Sequence, residues 1–118
     1  MQKVAIVLLA GTDGLESMGR MANALVAVKE FKDAGDEVKL IFDGAGVTWI
    51  GELASADHPY HDLYEEVRGQ IAGVCDYCAN AFKATDAIDE QKLPHANEHE
   101  GHPSFRSLLG EGFQVLTF

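Results

Sequence analysis

Two cysteines three positions apart, in Val74-Cys75-Asp76-Tyr77-Cys78-Ala79-Asn80-Ala81-Phe82, carry the most reactive chemistry in the sequence. Such a pair supports nucleophilic attack by a thiolate, dithiol exchange, or a share in metal ligation. It follows a short apolar run and precedes a helix start. There, unpaired N–H groups and the positive end of the helix dipole stabilise a thiolate, which is the reactive form. Asp76 opposes this, because a neighbouring carboxylate raises a thiol's pKa, and the balance stays open. The bland alternative is a pair of inert, buried small residues.

Two of these chemistries meet obstacles in the rest of the chain. A thioredoxin-like pair needs a cis-proline beside it. Pro94 follows Leu93 in an acidic stretch and Pro103 opens a helix, so neither suits that role. A structural zinc site wants four ligands, and only His95, His99 and His102 are at hand to complete one. Pro94 and Gly101 frame a loop around the first two, so these histidines are expected to be solvated, and neither a metal nor a cofactor is expected.

The elements that must position the cysteines follow from hydrophobic patterning. Val4–Ala10 is a continuous apolar run, as in a central parallel strand covered on both faces. Asp13 and Glu16 then start a helix with Met18, Met21, Ala22, Leu25 and Val28 at helical spacing, ended by Gly35. Glu37–Phe42 is the next strand, closed by Asp43-Gly44, and the first three segments make a right-handed βαβ unit. Short helices are expected over 46–54, carrying Trp49, and over 60–68. A third strand covers Ile71–Val74, and a helix starts at Ala79. Residues 85–101 read as a helical turn and a loop. Pro103 opens a last helix and Phe113–Phe118 is a last strand.

Alternating strands and helices specify an α/β fold: one domain over 1–118, with helices on both faces of a mostly parallel sheet of four to five strands. Ligands bind such sheets outside the carboxyl ends of the strands, where Gly11–Ser17, Asp43–Val47 and Cys75–Cys78 fall. The first lacks the Gly-Lys-Ser/Thr ending of a phosphate loop, and Asp13 would repel a phosphate, so it reads as a turn. Asp43-Gly44-Ala45-Gly46-Val47 also reads as a turn, with glycines for unusual backbone angles or a close approach. Trp49, Tyr60, Tyr64 and Tyr77 read as packing residues.

Composition narrows the partners. The chain has 118 residues, 47% of them hydrophobic, and a formal charge of −10, a surplus that repels nucleic acid and anionic membrane surfaces. No apolar run approaches the ~20 residues of a membrane span. A lone Cys-x-x-Cys without a leader-like cleavage pattern points to the reducing cytoplasm.

With these segments laid out, the chain resembles the DsrE/DsrF-like family essentially end to end. The resemblance rests on the opening strand and its Gly loop, on Phe42-Asp-Gly-Ala-Gly-Val47, on Cys75-Asp-Tyr-Cys78-Ala-Asn-Ala-Phe82, and on Gly101-His-Pro-Ser104 with Gly110-Glu-Gly-Phe-Gln-Val-Leu-Thr-Phe118. The closing block is the most specific and ties the chain to a subgroup apart from the sulfur-relay subunits. The resemblance implies a three-layer α/β/α sandwich, a homo-oligomer of trimer or hexamer type, and a thiol that carries sulfur as a persulfide. Cys78 is the matching cysteine, since it precedes the Ala-x-Ala-Phe helix start, and Cys75 is an extra thiol able to resolve a persulfide.

The leading expectation is therefore a sulfur carrier, or sulfurtransferase-like protein, that takes sulfur from a protein donor and hands it to an acceptor. Five acids between Asp86 and Glu100, against Lys92 alone, favour a donor with a basic face. The alternatives are a non-catalytic oligomeric binding or scaffold protein, and a dithiol redox protein using Cys75 and Cys78.

Overall fold

The first strand, β1 (Lys3–Leu8), is buried from Val4 onward, as its unbroken apolar run requires. It lies fourth in a five-stranded, all-parallel sheet ordered β4-β3-β2-β1-β5. The other strands are β2 (Glu37–Phe42), β3 (Ile71–Cys75), β4 (His95–Ala96) and β5 (Gln114–Thr117). The computed structural model describes residues 1–118. Helices α1 (Gly14–Asp33), α2 (Trp49–Leu53), α3 (His61–Val67), α4 (Asp76–Ala81), α5 (Thr85–Glu90) and α6 (Phe105–Gly110) connect the strands. A 3₁₀ turn over Gly44–Thr48 precedes α2.

Strand order fixes which face each helix covers. From β1 to β4 the chain steps across the sheet in one direction, so right-handed crossovers put α1 to α5 on one face. The return to β5, on the far side of β1, sends α6 to the other. The two cores follow this division. Val4, Ile6, Leu8, Leu40 and Phe42 pack with Met21, Leu25 and Val28 of α1, Trp49 and Ile50 of α2, Tyr64 of α3 and Ile88 of α5. The alternate residues Ala5, Val7 and Ile41 pack with Leu108 of α6, Phe113 and the half-buried Val115. The result is a three-layer α/β/α sandwich whose second helical layer is a single helix. Each large side chain sealed in the first core contributes roughly 1.5–3 kcal/mol of hydrophobic stabilisation.

Local chemistry departs from expectation at three places. Asp13 occupies the N-cap of α1, but its side chain makes no capping hydrogen bond. The cap of α6 is Ser104, whose hydroxyl accepts from the Ser107 N–H at 3.1 Å, so the helix opens after Pro103 rather than at it. The stretch read as a helical turn and a loop holds the short helix α5 and, where the loop was expected, a two-residue edge strand, β4. β4 pairs in register with the end of β3, Val74 opposite His95 and Cys75 opposite Ala96. Gly73 makes room for it, since a Cβ there would sit 2.7 Å from the Ala96 Cβ. No helix is long and apolar enough to cross a membrane.

Candidate functional site

The parallel arrangement of β2 and β3 brings the residues that follow them together at one edge of the sheet. Asp43 leaves β2 in extended conformation, its N–H donating to the Leu8 carbonyl at 3.0 Å. One carboxylate oxygen accepts from the Gly44 N–H at 2.8 Å, which caps the 3₁₀ turn. That turn lies hard against β1 at Gly46. Asp43 is therefore held in place from both sides, and it is buried.

At the end of β3, Cys75 takes the N-cap position of α4, and its Sγ accepts from the Cys78 N–H at 3.4 Å. A thiol thus does what Ser, Thr, Asp or Asn does at most helix starts. The helix begins at Asp76 rather than Ala79, which places Cys78 inside its first turn. The Cys78 thiol donates to Asp43 Oδ1 at 3.6 Å.

The fourth member arrives from the loop before α6. His99 and His102 exchange backbone hydrogen bonds of 2.9 and 2.8 Å across Glu100 and Gly101. Both central residues have positive φ, 51° and 84°, the signature of a type I′ turn. The Tyr77 N–H donates to the Gly101 carbonyl at 2.9 Å, which docks the turn on α4. The Tyr77 ring lies 4.8 Å from the His102 ring at an interplanar angle of 33°. This leaves His102 Nδ1 at 3.3 Å from Cys75 Sγ.

Asp43, Cys75, Cys78 and His102 therefore converge, with one donor atom from each lying within 4.8 Å of the others. Both expected cysteines belong to the cluster and both are free thiols. Asp43, read from sequence as a turn residue, and His102, read as solvated, are the members that sequence reasoning missed. The two thiols differ. Cys75 is fully buried, whereas Cys78 keeps 9% of its surface exposed. Burial, reinforced by hydrogen bonding to Cys78 and by Asp43, pushes the Cys75 thiol up to about 12 despite the stabilising Cys78 N–H.

The other candidates lie apart from this cluster. Trp49 and Tyr64 are core residues, with Trp49 Nε1 donating to the Ala10 carbonyl at 2.9 Å. Asp13 is exposed on the first loop, and His99 points away on the turn's outer arm, its side chain 72% exposed.

Over 100 residues the chain is 34% identical to the uncharacterized protein MJ0733 of Methanocaldococcus jannaschii, covering 85% of this chain and 81% of that one. The chain belongs to the MJ0733 family. Among solved structures, a conserved protein of unknown function from Bacteroides thetaiotaomicron, BT1422, is similar to this MJ0733-family fold with a TM-score of 0.61. That match covers 97% of this chain and 94% of the other at 17% identity, a likeness of fold alone. No family model matches the chain.

In this MJ0733-family protein His95 braces the start of α4. Its Nε2 lies 2.8 Å from Asp89 and its Nδ1 3.0 Å from Asp76. The hydrogen bond to Asp89, aided by Asp76 and opposed by partial burial, raises its pKa above the ordinary 6.5. The imidazolium is thus favoured in the folded state. Its stabilisation is fully present below pH 6.5 and is lost as pH rises through the elevated folded value. Both acids are partly solvated, so the expected gain is about 0.5 kcal/mol. Chemical denaturation at pH 6 and pH 8 should show it in the native protein and not in His95→Gln.

Proposed function

We propose that the protein carries sulfane sulfur as a persulfide on Cys78, the role implied by its resemblance to the DsrE/DsrF-like family. The observation that carries the reading is the inequality of the two thiols. Sulfur transfer needs an accessible thiolate, and Cys78 keeps exposed surface where Cys75 has none. The hydrogen bond from the Cys78 thiol to Asp43 Oδ1 holds the sulfur in a fixed orientation.

The chemistry is an exchange at sulfur. The Cys78 thiolate attacks the outer sulfur of a donor persulfide, the donor's S–S bond breaks as a new one forms on Cys78, and the donor leaves as a thiolate. An acceptor thiolate then attacks the outer sulfur of the Cys78 persulfide and regenerates Cys78. No net oxidation occurs. The partners are a protein donor, with a basic face to match the acidic rim, and an acceptor thiol. A reducing cytoplasm keeps both cysteines as thiols. In this reading the carrier is a homo-oligomer, trimer or hexamer, that covers the thinly layered face where Phe105 and Leu109 are exposed.

Mass spectrometry tests it. A small-molecule persulfide donor should add about 32 Da, one sulfur, per chain. The adduct should survive in Cys75→Ser and vanish in Cys78→Ser. An adduct that persists in Cys78→Ser overturns the assignment. The same measurement under native conditions reads the trimer or hexamer.

A further inference from the structure

We propose that Asp43, Cys75, Cys78 and His102 form a closed, four-ligand zinc site that ties the His99–His102 turn to the ends of β2 and β3. The proposal stands apart from the sulfur-carrier reading and needs none of its chemistry.

Geometry is the first support. Zinc–ligand bonds of about 2.0–2.3 Å put tetrahedral donors about 3.3–3.8 Å apart. Cys75 Sγ and His102 Nδ1 are 3.3 Å apart, and Cys78 Sγ and Asp43 Oδ1 are 3.6 Å apart. All four donor atoms fall within 4.8 Å of one another. A movement of about 1 Å in the longest separations closes the tetrahedron.

Charge is the second. Asp43 is a carboxylate at 8% exposure, and it makes no ion pair; its contacts are the Gly44 N–H and the Cys78 thiol. A buried carboxylate without a cation is costly, and a divalent ion answers that cost directly. The donor set selects the metal. Two sulfurs and an imidazole suit zinc, whereas calcium and magnesium require oxygen ligands.

Supporting contacts hold the donors in place. The Cys78 N–H points at Cys75 Sγ, the Gly44 N–H holds Asp43, and the Tyr77 ring flanks His102. Such outer contacts orient metal ligands and tune them. Binding takes in one Zn²⁺ and releases the two thiol protons, with no change of oxidation state. Zinc occupies both sulfurs, so zinc-loaded and persulfide-loaded chains are separate forms.

The test uses the full-length protein, reduced, treated with chelator and free of any persulfide donor. Titration with Zn²⁺ against a chromophoric chelator should give one ion per chain. Co²⁺ should give the intense visible bands of a tetrahedral site together with thiolate charge-transfer absorption. His102→Ala, on the partly exposed turn, should weaken zinc binding by at least about tenfold. Saturating zinc should raise the melting temperature of the native chain by roughly 10 °C. The absence of stoichiometric binding, a six-coordinate Co²⁺ spectrum, or an unchanged affinity in His102→Ala would each overturn the proposal. A chain that gains sulfur on Cys78 yet binds no zinc leaves the carrier reading standing and removes this one.

Discussion

Gly46→Ala should destabilise the protein by about 3 kcal/mol, the upper end for steric overpacking, and should dislodge Asp43 from the thiol cluster. A Cβ at position 46 would lie 2.0 Å from the Leu8 carbonyl oxygen and 2.8 Å from its carbon. Both are backbone atoms of a fully buried residue, so no side chain can swing aside. The 3₁₀ turn over Gly44–Thr48 must then lift away from β1. Asp43, whose N–H is bonded to that same Leu8 carbonyl, loses its anchor. Gly51→Ala is the matched control. Its Cβ would meet only the Ala87 Cβ, at 3.6 Å, and alanine in α2 should leave stability unchanged or raise it by up to about 1 kcal/mol. Urea denaturation of the two variants decides the matter. A Gly46→Ala midpoint equal to that of the native chain would show that β1 and the turn can separate at little cost.

The second large effect is expected at Cys75. In the metal-free, reduced protein its thiol sits near 12 rather than at its ordinary 9.0, chiefly because burial disfavours the thiolate. Burial therefore leaves the native chain far less thiolate at pH 8 than an ordinary thiol has. Iodoacetamide at that pH should therefore modify Cys75 in the native chain at least about tenfold more slowly than in the denatured chain. Peptide mapping of alkylated protein measures this directly. The same shift has a sign for stability. A thiol held neutral by the fold contributes fully below pH 9, and its contribution is lost as pH climbs toward 12. Comparable native and denatured rates at Cys75 would contradict the assigned environment and with it the inequality of the two thiols.

Strands β1, β2, β3 and β5 are legible in the sequence because each is an apolar or β-branched run of strand length bounded by Gly, Asp or Pro. β4 is not. Its two residues, His95 and Ala96, carry no alternation, and pairing with β3 alone defines them as strand. The start of α4 is hidden for a different reason. Its cap is a thiol, and Cys75 is absent from the residue types that announce a helix start. The cysteines of the site can be read from spacing, but Asp43 and His102 cannot. Asp43 closes β2 some thirty residues before Cys75, and adjacency of β2 and β3 brings them together. With that strand order assumed, an acid at the end of the neighbouring strand is the available clue. His102 depends on a turn built by Glu100-Gly101, where a non-glycine residue takes positive φ, and no common hairpin dipeptide marks it.

The position of β1 between β2 and β5 has a kinetic side. Its pairing with β2 is closed by residues about 35 positions away, but its pairing with β5 joins Val4 to Gln114 and Val7 to Thr117. Contacts so distant along the chain form slowly, since loop closure must precede any reward from pairing. During synthesis, β1 can already be docked on β2 and α1 while its other edge waits for residues 114–117 to leave the ribosome. That edge is an open template for another strand in the interval. Completion of the last four-residue strand thus decides when a nascent chain stops being prone to pair with its neighbours.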